Sequence, residues 1–161
     1  MKREWHVTAS LLAPLVVMLG LPAPSAPLEA QAQKLLNVDK DGVAVHGYDA
    51  VAYFSEGKAV KGDPQFHSSY AGARYYFQSA ASKEAFDKEP SKYAPQYGGY
   101  CAMAMTMGKL EDVNPNYFLV HDGKLLLQRN EKAHMMFAKD PVENHKKADE
   151  SWETIKAEQG K

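Results

Sequence analysis

Four sulfur-containing side chains alternate with small residues directly after a pair of glycines. Gly98 and Gly99 are followed by Cys101, and a methionine then stands at every second position through Met107. Thiolates and thioethers are soft ligands that favour Cu(I). As a strand, this segment would present all four sulfurs on one face, whereas a helix would bring together residues that are four apart. The methionines are therefore either copper ligands or gap-filling side chains of a core.

Cys101 is the only cysteine of the chain. A single thiol cannot form an internal disulfide, so it is buried, metal-bound, reactive or paired with another chain. Histidine nitrogens could complete a mixed metal site around it. We therefore predict a site for a transition-metal ion, copper first of all, with Cys101 as its anchor and His46 or His67 as partners. His121 and His145 are expected to face solvent.

A ligand pocket is predicted where two glycine-containing turns meet. One turn carries Tyr48 and Asp49, and the other consists of Gly98, Gly99 and Tyr100. Adjacent glycines allow a backbone to approach another group closely, so these five residues are the predicted contacts of a bound cofactor or small ligand. The many other aromatic side chains are better explained as a core with phenols at its rim.

Common enzyme signatures are absent from the sequence, which has no Cys-x-x-Cys, no His-Glu-x-x-His, no Gly-x-Ser-x-Gly and no phosphate-binding glycine loop. We therefore assign no catalytic residue and favour a metal-binding or metal-handling module. Two alternatives remain open. One is a module that binds a small ligand or a protein and uses Cys101 structurally. The other is a redox protein in which a nearby histidine activates that thiol.

The first thirty or so residues predict export. Lys2 and Arg3 precede an apolar run over 11–21 and a stretch rich in Ala, Pro and Ser, which is the order of a secretory signal peptide. The run is about half of the roughly 20 residues that a spanning helix needs. We predict a signal peptide over 1–32 that is cleaved after Ala32, and a periplasmic or secreted protein without a membrane span.

Charge gives no indication of a nucleic-acid or membrane partner. The chain has a formal net charge of −1. Residues 1–32 contain two basic and two acidic side chains, so the predicted mature chain keeps the same net charge. A balanced chain lacks the basic surface that nucleic acid and anionic lipid attract. The expected partner is a metal ion or a small ligand, and the sequence identifies no protein partner.

Two hairpins are predicted. Aromatic-rich strands over 65–70 and 74–77 are joined by a short glycine-containing connection of three residues. Strands over 117–121 and 124–128 flank Asp122-Gly123, a pair that supplies the positive φ angles of a tight hairpin turn. A short strand over 43–45 is also expected, while the state of 50–54 stays open between helix and strand.

Three helices have clear start signals. Ser79 or Ser82 can cap a helix that runs through Phe86, because a hydroxyl oxygen accepts an N–H of the first turn. Asn130 can cap a helix over 131–138 in the same way. Asp140, followed by proline, opens a final helix that should run through about residue 157 and pack back on the domain.

Helices and strands are mixed rather than regularly alternating, which indicates an α+β fold. We predict small antiparallel hairpins packed with short helices and a C-terminal helix. Residues 22–36 are rich in Pro, Ala and Gln, so with cleavage after Ala32 they leave a linker over 33–36, and the length that remains fits one domain over 37–157.

Several segments together resemble the exported YHS-domain proteins of bacteria. The segments are GYDAVAYF at 47–54, YAGARYYFQS at 70–79 and QYGGYCA at 96–102, with Phe86, Pro90 and Tyr93 between them. The similarity extends from Asn37 to Ile155, and it implies a YHS-like fold.

The resemblance also implies an association with metals. YHS domains occur in copper and heavy-metal ATPases and beside some multicomponent monooxygenases, where cysteines near the domain start and after the hairpin are the suspected ligands. This sequence has no cysteine at 47–51 or 78–82. A tetrahedral thiolate site needs four ligands, so any metal here would require a mixed site.

Overall fold

The computed structural model of the chain describes residues 35–159. The predicted signal peptide and the first half of the predicted linker lie outside the described residues. Within 35–159, strands and helices are mixed, and the predicted α+β class is confirmed. In the same part of the chain, no helix combines the length and the apolar character that crossing a membrane requires.

Both predicted hairpins are present. Strand β1 (Asp63–Tyr70) pairs antiparallel with β2 (Ala73–Phe77), and β3 (Phe118–His121) pairs antiparallel with β4 (Lys124–Leu127). The first turn has two residues rather than the three predicted, because Ala73 already pairs with Tyr70. In each turn both residues have a positive φ, as a tight primed turn requires.

Six α-helices lie within the described residues. They are α1 (Ala52–Ser55), α2 (Ala80–Lys88), α3 (Pro90–Tyr93), α4 (Ala102–Met105), α5 (Glu131–Lys139) and α6 (Pro141–Gln159). The open segment over 50–54 thus leads into helix α1 from Ala52, and the sulfur-rich segment contains helix α4 rather than a strand.

The predicted caps account for where the longer helices begin. The Ser79 hydroxyl accepts the N–H of Ser82 at 3.2 Å at the start of α2. Asn130 accepts the N–H of Ala133 at 2.9 Å at the start of α5. Each bond satisfies an N–H that has no partner inside its helix. Each capping bond joins residues only three apart in the chain, so the residue types in the sequence are enough to predict it.

The predicted strand over 43–45 is wrong. Val43 and Ala44 form only isolated bridges, and Val45–Gly47 is a 3₁₀ turn in which Val45, His46 and Gly47 all have positive φ. Positive φ at all three residues interrupts the extended backbone directly after the two bridges, so no continuous strand forms.

The core has two parts. The larger part is aromatic and centres on Phe86, whose ring centroid lies 4.8 Å from that of Tyr75 and 5.0 Å from that of Phe77. The smaller part holds α4, α5 and α6 together through Met105, Phe137 and other buried apolar groups. The large hydrophobic side chains exposed within the described residues are methionines and valines, so the aromatic groups serve the core as the sequence indicated.

Candidate metal centre

The predicted anchor, Cys101, lies in the core directly before α4. It is fully buried, and its thiol donates a hydrogen bond of 3.6 Å to Oε1 of Gln128. The same oxygen accepts the backbone N–H of Met103 at 3.1 Å. The buried amide of Gln128 therefore holds the thiol and the first turn of α4 together.

Replacing Cys101 by alanine should lower the free energy of unfolding by about 1 to 2 kcal/mol, because it removes a packed sulfur and a donor to Gln128. Urea denaturation followed by circular dichroism would measure the loss. In the native wild type, iodoacetamide should label the thiol only as fast as the protein opens. Rapid labelling of the folded protein would contradict this placement and favour the redox alternative.

His46 is exposed and makes an ordinary surface contact. Its Nε2 lies 2.8 Å from Oδ1 of Asp112, and its backbone carbonyl accepts Nζ of Lys61 at 2.6 Å. The same ammonium lies 4.7 Å from the ring centroid of half-buried Tyr48, within the range of a cation–π contact. The ring of Tyr48, a predicted ligand contact, is therefore in contact with Lys61.

His67 makes a local contact within its own strand. It is exposed on β1, and its Nδ1 lies 2.9 Å from the carbonyl oxygen of Pro64. His46, His67 and Cys101 are not brought together as a group of three ligands. His46 and His67 lie at the surface, whereas Cys101 lies in the core.

Asp49 joins three elements from a fully buried position. Oδ1 accepts the N–H of Val51 at 2.8 Å, and Oδ2 accepts the N–H of Gln78 at 3.0 Å and the hydroxyl of Ser82 at 2.5 Å. These donors belong to the start of α1, the end of β2 and the first turn of α2. Both oxygens of the carboxylate are thus engaged by the protein's own donors.

Residues 35–37, the first that the structure describes, pack closely against Gly98 and Gly99. A Cβ on Gly98 would lie 1.9 Å from the carbonyl oxygen of Leu35. Asn37 donates its backbone N–H to Gly98 at 2.8 Å and its side-chain amide to Gly99 at 3.1 Å. The Tyr100 hydroxyl donates to the carbonyl of Leu36 at 3.3 Å. The segment 35–37 therefore packs directly on Gly98, Gly99 and Tyr100.

A different group of side chains has the geometry of a metal site. Among residues 35–159, His121, Asp122 and His145 form the one group of three whose ligand atoms all lie within 4.8 Å of one another. Nδ1 of His121 is 3.1 Å from Nδ1 of His145 and 3.6 Å from a carboxylate oxygen of Asp122. The expectation that His145 faces solvent is wrong, since only 7% of it is exposed.

Two elements position this group. His121 ends strand β3, and the tight turn that follows sets Asp122 beside it. His145 lies in the second turn of α6, whose start is fixed by Asp140 through a 3.1 Å bond from the N–H of Glu143. Helix α6 packs on α4 through fully buried Ala148, which turns the His145 face of the helix toward the hairpin.

Burial is the main cause that lowers the pKa of His145 below the ordinary imidazole value, and the nearby carboxylate of Asp149 partly opposes it. A neutral imidazole is the form that binds metals. Nε2 of His145 is buried without a hydrogen-bond partner and lies 3.8 Å from Asp149. That carboxylate accepts the Tyr97 hydroxyl at 2.9 Å, which holds it in place.

The distance between the two Nδ1 atoms fits a shared ion. Two nitrogens that bind one metal at 2.0–2.1 Å, at angles between square and tetrahedral, are about 2.9 to 3.4 Å apart. Without an ion, a 3.1 Å separation requires one ring to donate its N–H and the other to accept it. Asp122 is 80% exposed in its side chain and borders a cleft of about 360 Å³, so the group can be reached from solvent.

Comparison with known proteins gives one match. The family model of the YHS domain matches residues 51–97, which run from the start of α1 through the first hairpin, α2 and α3 to Tyr97. Neither the curated proteins nor the solved structures provided a match. The histidine group lies outside the matched segment. A YHS domain is thus found at residues 51–97 of this chain.

Proposed function

We propose that the protein binds a transition-metal ion through His121, Asp122 and His145 and takes part in metal handling without catalysis of its own. The observation that carries the proposal is the 3.1 Å separation of the two Nδ1 atoms, with a carboxylate oxygen 3.6 Å from one of them. A YHS domain in the same chain supports a metal-associated role.

The ligand set favours a borderline metal ion. Imidazole nitrogens suit zinc, copper, iron and nickel, and a carboxylate adds negative charge without selecting a soft ion. Divalent copper binds such a set most tightly of the first-row metals, so we propose copper. The unpartnered Nε2 of His145 faces Asp149, which is the arrangement in which an outer carboxylate orients a metal-binding histidine.

We also propose that this binding takes place outside the cytoplasm. The order of a basic start, an apolar run and a small-residue stretch over 1–32 supports export with cleavage near Ala32. Cys101 is then a structural thiol, protected by its burial beside Gln128.

Copper titration of purified protein tests the proposal. The wild type should bind one equivalent of Cu(II), with nitrogen hyperfine coupling in its paramagnetic resonance spectrum. His121→Ala removes a direct ligand, so it should weaken binding by more than the roughly 10- to 100-fold that loss of an outer partner costs. His67→Ala is the matched control, because it removes an exposed histidine elsewhere, and it should bind like the wild type.

Two results would contradict the proposal. One is equal Cu(II) affinity in the wild type and His121→Ala. The other is a loss in His67→Ala as large as that in His121→Ala. A Cys101→Ser variant should keep its copper, and loss of the ion from that variant would return the anchor role to the thiol.

A further inference from the structure

A second cleft is lined by three methionine side chains. It has a volume of about 290 Å³ and lies where α4 and the turn after it face α5. Met103 and Met107 line one side, and Met136 lines the other together with Ala133. These residues lie outside both the segment matched to the YHS domain and the histidine group.

Helical geometry brings two of the thioethers to one face. Thr106 donates its hydroxyl to the carbonyl of Met103 at 2.8 Å, and the N–H of Met107 reaches the carbonyl of Ala104 at 3.0 Å, so the helical turn continues past α4. Residues four apart then lie side by side. Met105, between them, is fully buried and points into the core instead.

The start of α4 is fixed by a buried group. Oε1 of Gln128 accepts the N–H of Met103 at 3.1 Å, and Gln128 itself is fully buried. The backbone that carries the first methionine is therefore anchored to the core. On the opposite side, α5 is anchored by buried Ala133 and Phe137. The cleft has two fixed walls, so its methionines need only adjust their flexible side chains.

Packing explains Met103, which is partly buried against both parts of the core, but it does not explain the other two methionines. Met107 is 59% exposed and Met136 is 43% exposed, so much of their apolar surface stays in water. Single exposed apolar residues are common, but three thioethers that share one cleft form a set of soft ligands. Met135, which neighbours Met136 and is 57% exposed, does not line the cleft and provides a natural comparison.

The charges around the cleft oppose a divalent cation more strongly than a monovalent one. Glu111 and Arg129 pair with each other at its edge, so their charges largely cancel. Lys132 also lines the cleft and adds a positive charge. Repulsion from that ammonium is twice as large for a divalent cation as for a monovalent one at the same distance.

We propose that Met103, Met107 and Met136 bind Cu(I) through their thioether sulfurs. This site is separate from the histidine group, and its existence does not depend on the function proposed above. Neutral sulfur ligands stabilise a soft monovalent ion without the deprotonation that thiolate and imidazole ligands need.

Silver ions serve as the probe, because Ag(I) is soft and monovalent like Cu(I) and does not change oxidation state in air. Full-length protein with ¹³C-labelled methionine methyl groups would be titrated with silver nitrate in chloride-free buffer. The methyl signals of Met103, Met107 and Met136 should shift together and saturate at one equivalent. The Met135 signal should stay in place.

Leucine variants decide whether the cleft is the site, since leucine keeps the volume of methionine and removes the sulfur. The double variant Met107→Leu with Met136→Leu should bind Ag(I) at least tenfold more weakly, while Met135→Leu should bind like the wild type. Lys132→Gln should bind more tightly. His121→Ala should leave Ag(I) binding unchanged, which separates this site from the histidine group.

Three results would overturn the proposal. The first is a double leucine variant that binds Ag(I) as tightly as the wild type. The second is a shift of the Met135 methyl signal equal to those of the cleft methionines. The third is loss of silver binding in Cys101→Ser with no effect of the leucine variants, which would assign the ion to the thiol.

Discussion

Replacing Asp49 by alanine should lower the free energy of unfolding by about 3 to 5 kcal/mol, a large part of the stability of a domain of this size. The substitution removes the acceptor of three donors around a fully buried carboxylate: the N–H of Val51, the hydroxyl of Ser82 and the partly buried N–H of Gln78. Each unsatisfied buried donor costs about 1 to 3 kcal/mol, and partial entry of water limits the total.

Urea denaturation of the variant and the wild type would measure this loss. Asp39→Ala is the matched control, because Asp39 also accepts two backbone N–H groups, from Asp41 and Val43, but is exposed. Water can replace that carboxylate, so the control should lose about 1 kcal/mol or less. Equal losses in the two variants would mean that burial does not set the importance of Asp49. If Asp49→Ala does not fold, Asp49→Asn offers a milder comparison, since it keeps one acceptor oxygen.

Replacing Gly98 by alanine should cost about 2 to 4 kcal/mol. Gly98 has a φ of +61°, and a Cβ there would lie 1.9 Å from the carbonyl oxygen of Leu35. Backbone atoms cannot rotate away as a flexible side chain can. The segment 35–37 must therefore move, which breaks the bond from Asn37 to the Gly98 carbonyl.

Gly57→Ala separates steric overlap from backbone strain. Gly57 has a φ of +64°, and a Cβ added there would meet nothing within 4 Å, so alanine should cost only about 1 kcal/mol of left-handed strain. Amide spectra of the Gly98 variant should also show changed signals for residues 35–37. If the two alanine variants are equally stable and those signals stay unchanged, the contact between segment 35–37 and the glycine pair is not as close as described.

Local features of the fold could be predicted from the sequence. Asp122-Gly123 determines its own turn, and Ser79 and Asn130 cap helices through bonds that span three residues. Such interactions depend on neighbours in the chain, so the residue types alone indicate them. The segment over 101–107 is harder to predict, because alternation of methionine with small residues suits a strand and a short helix equally.

The histidine group could not be predicted in this way. His121 and His145 are 24 residues apart and form no motif, and their contact depends on how α6 packs on α4. The burial of His145 also depends on how α6 packs on α4. One weak signal is present in the sequence, an acidic residue directly after His121 and another four residues after His145. Cys101 stands out as the lone thiol, but its place in the core depends on Gln128, 27 residues further along the chain.

The contact between His121 and His145 is one of the contacts that anchor helix α6 to the rest of the domain. This 19-residue helix is held through one face, by Ala148, by Trp152 against Tyr97 and by His145 against the hairpin. An ion held by both histidines would act as a cross-link that closes a loop of 24 residues and restricts the unfolded chain. Metal supply would then set how firmly the C-terminal helix is anchored, so any event that needs this helix to detach would be favoured when the ion is scarce.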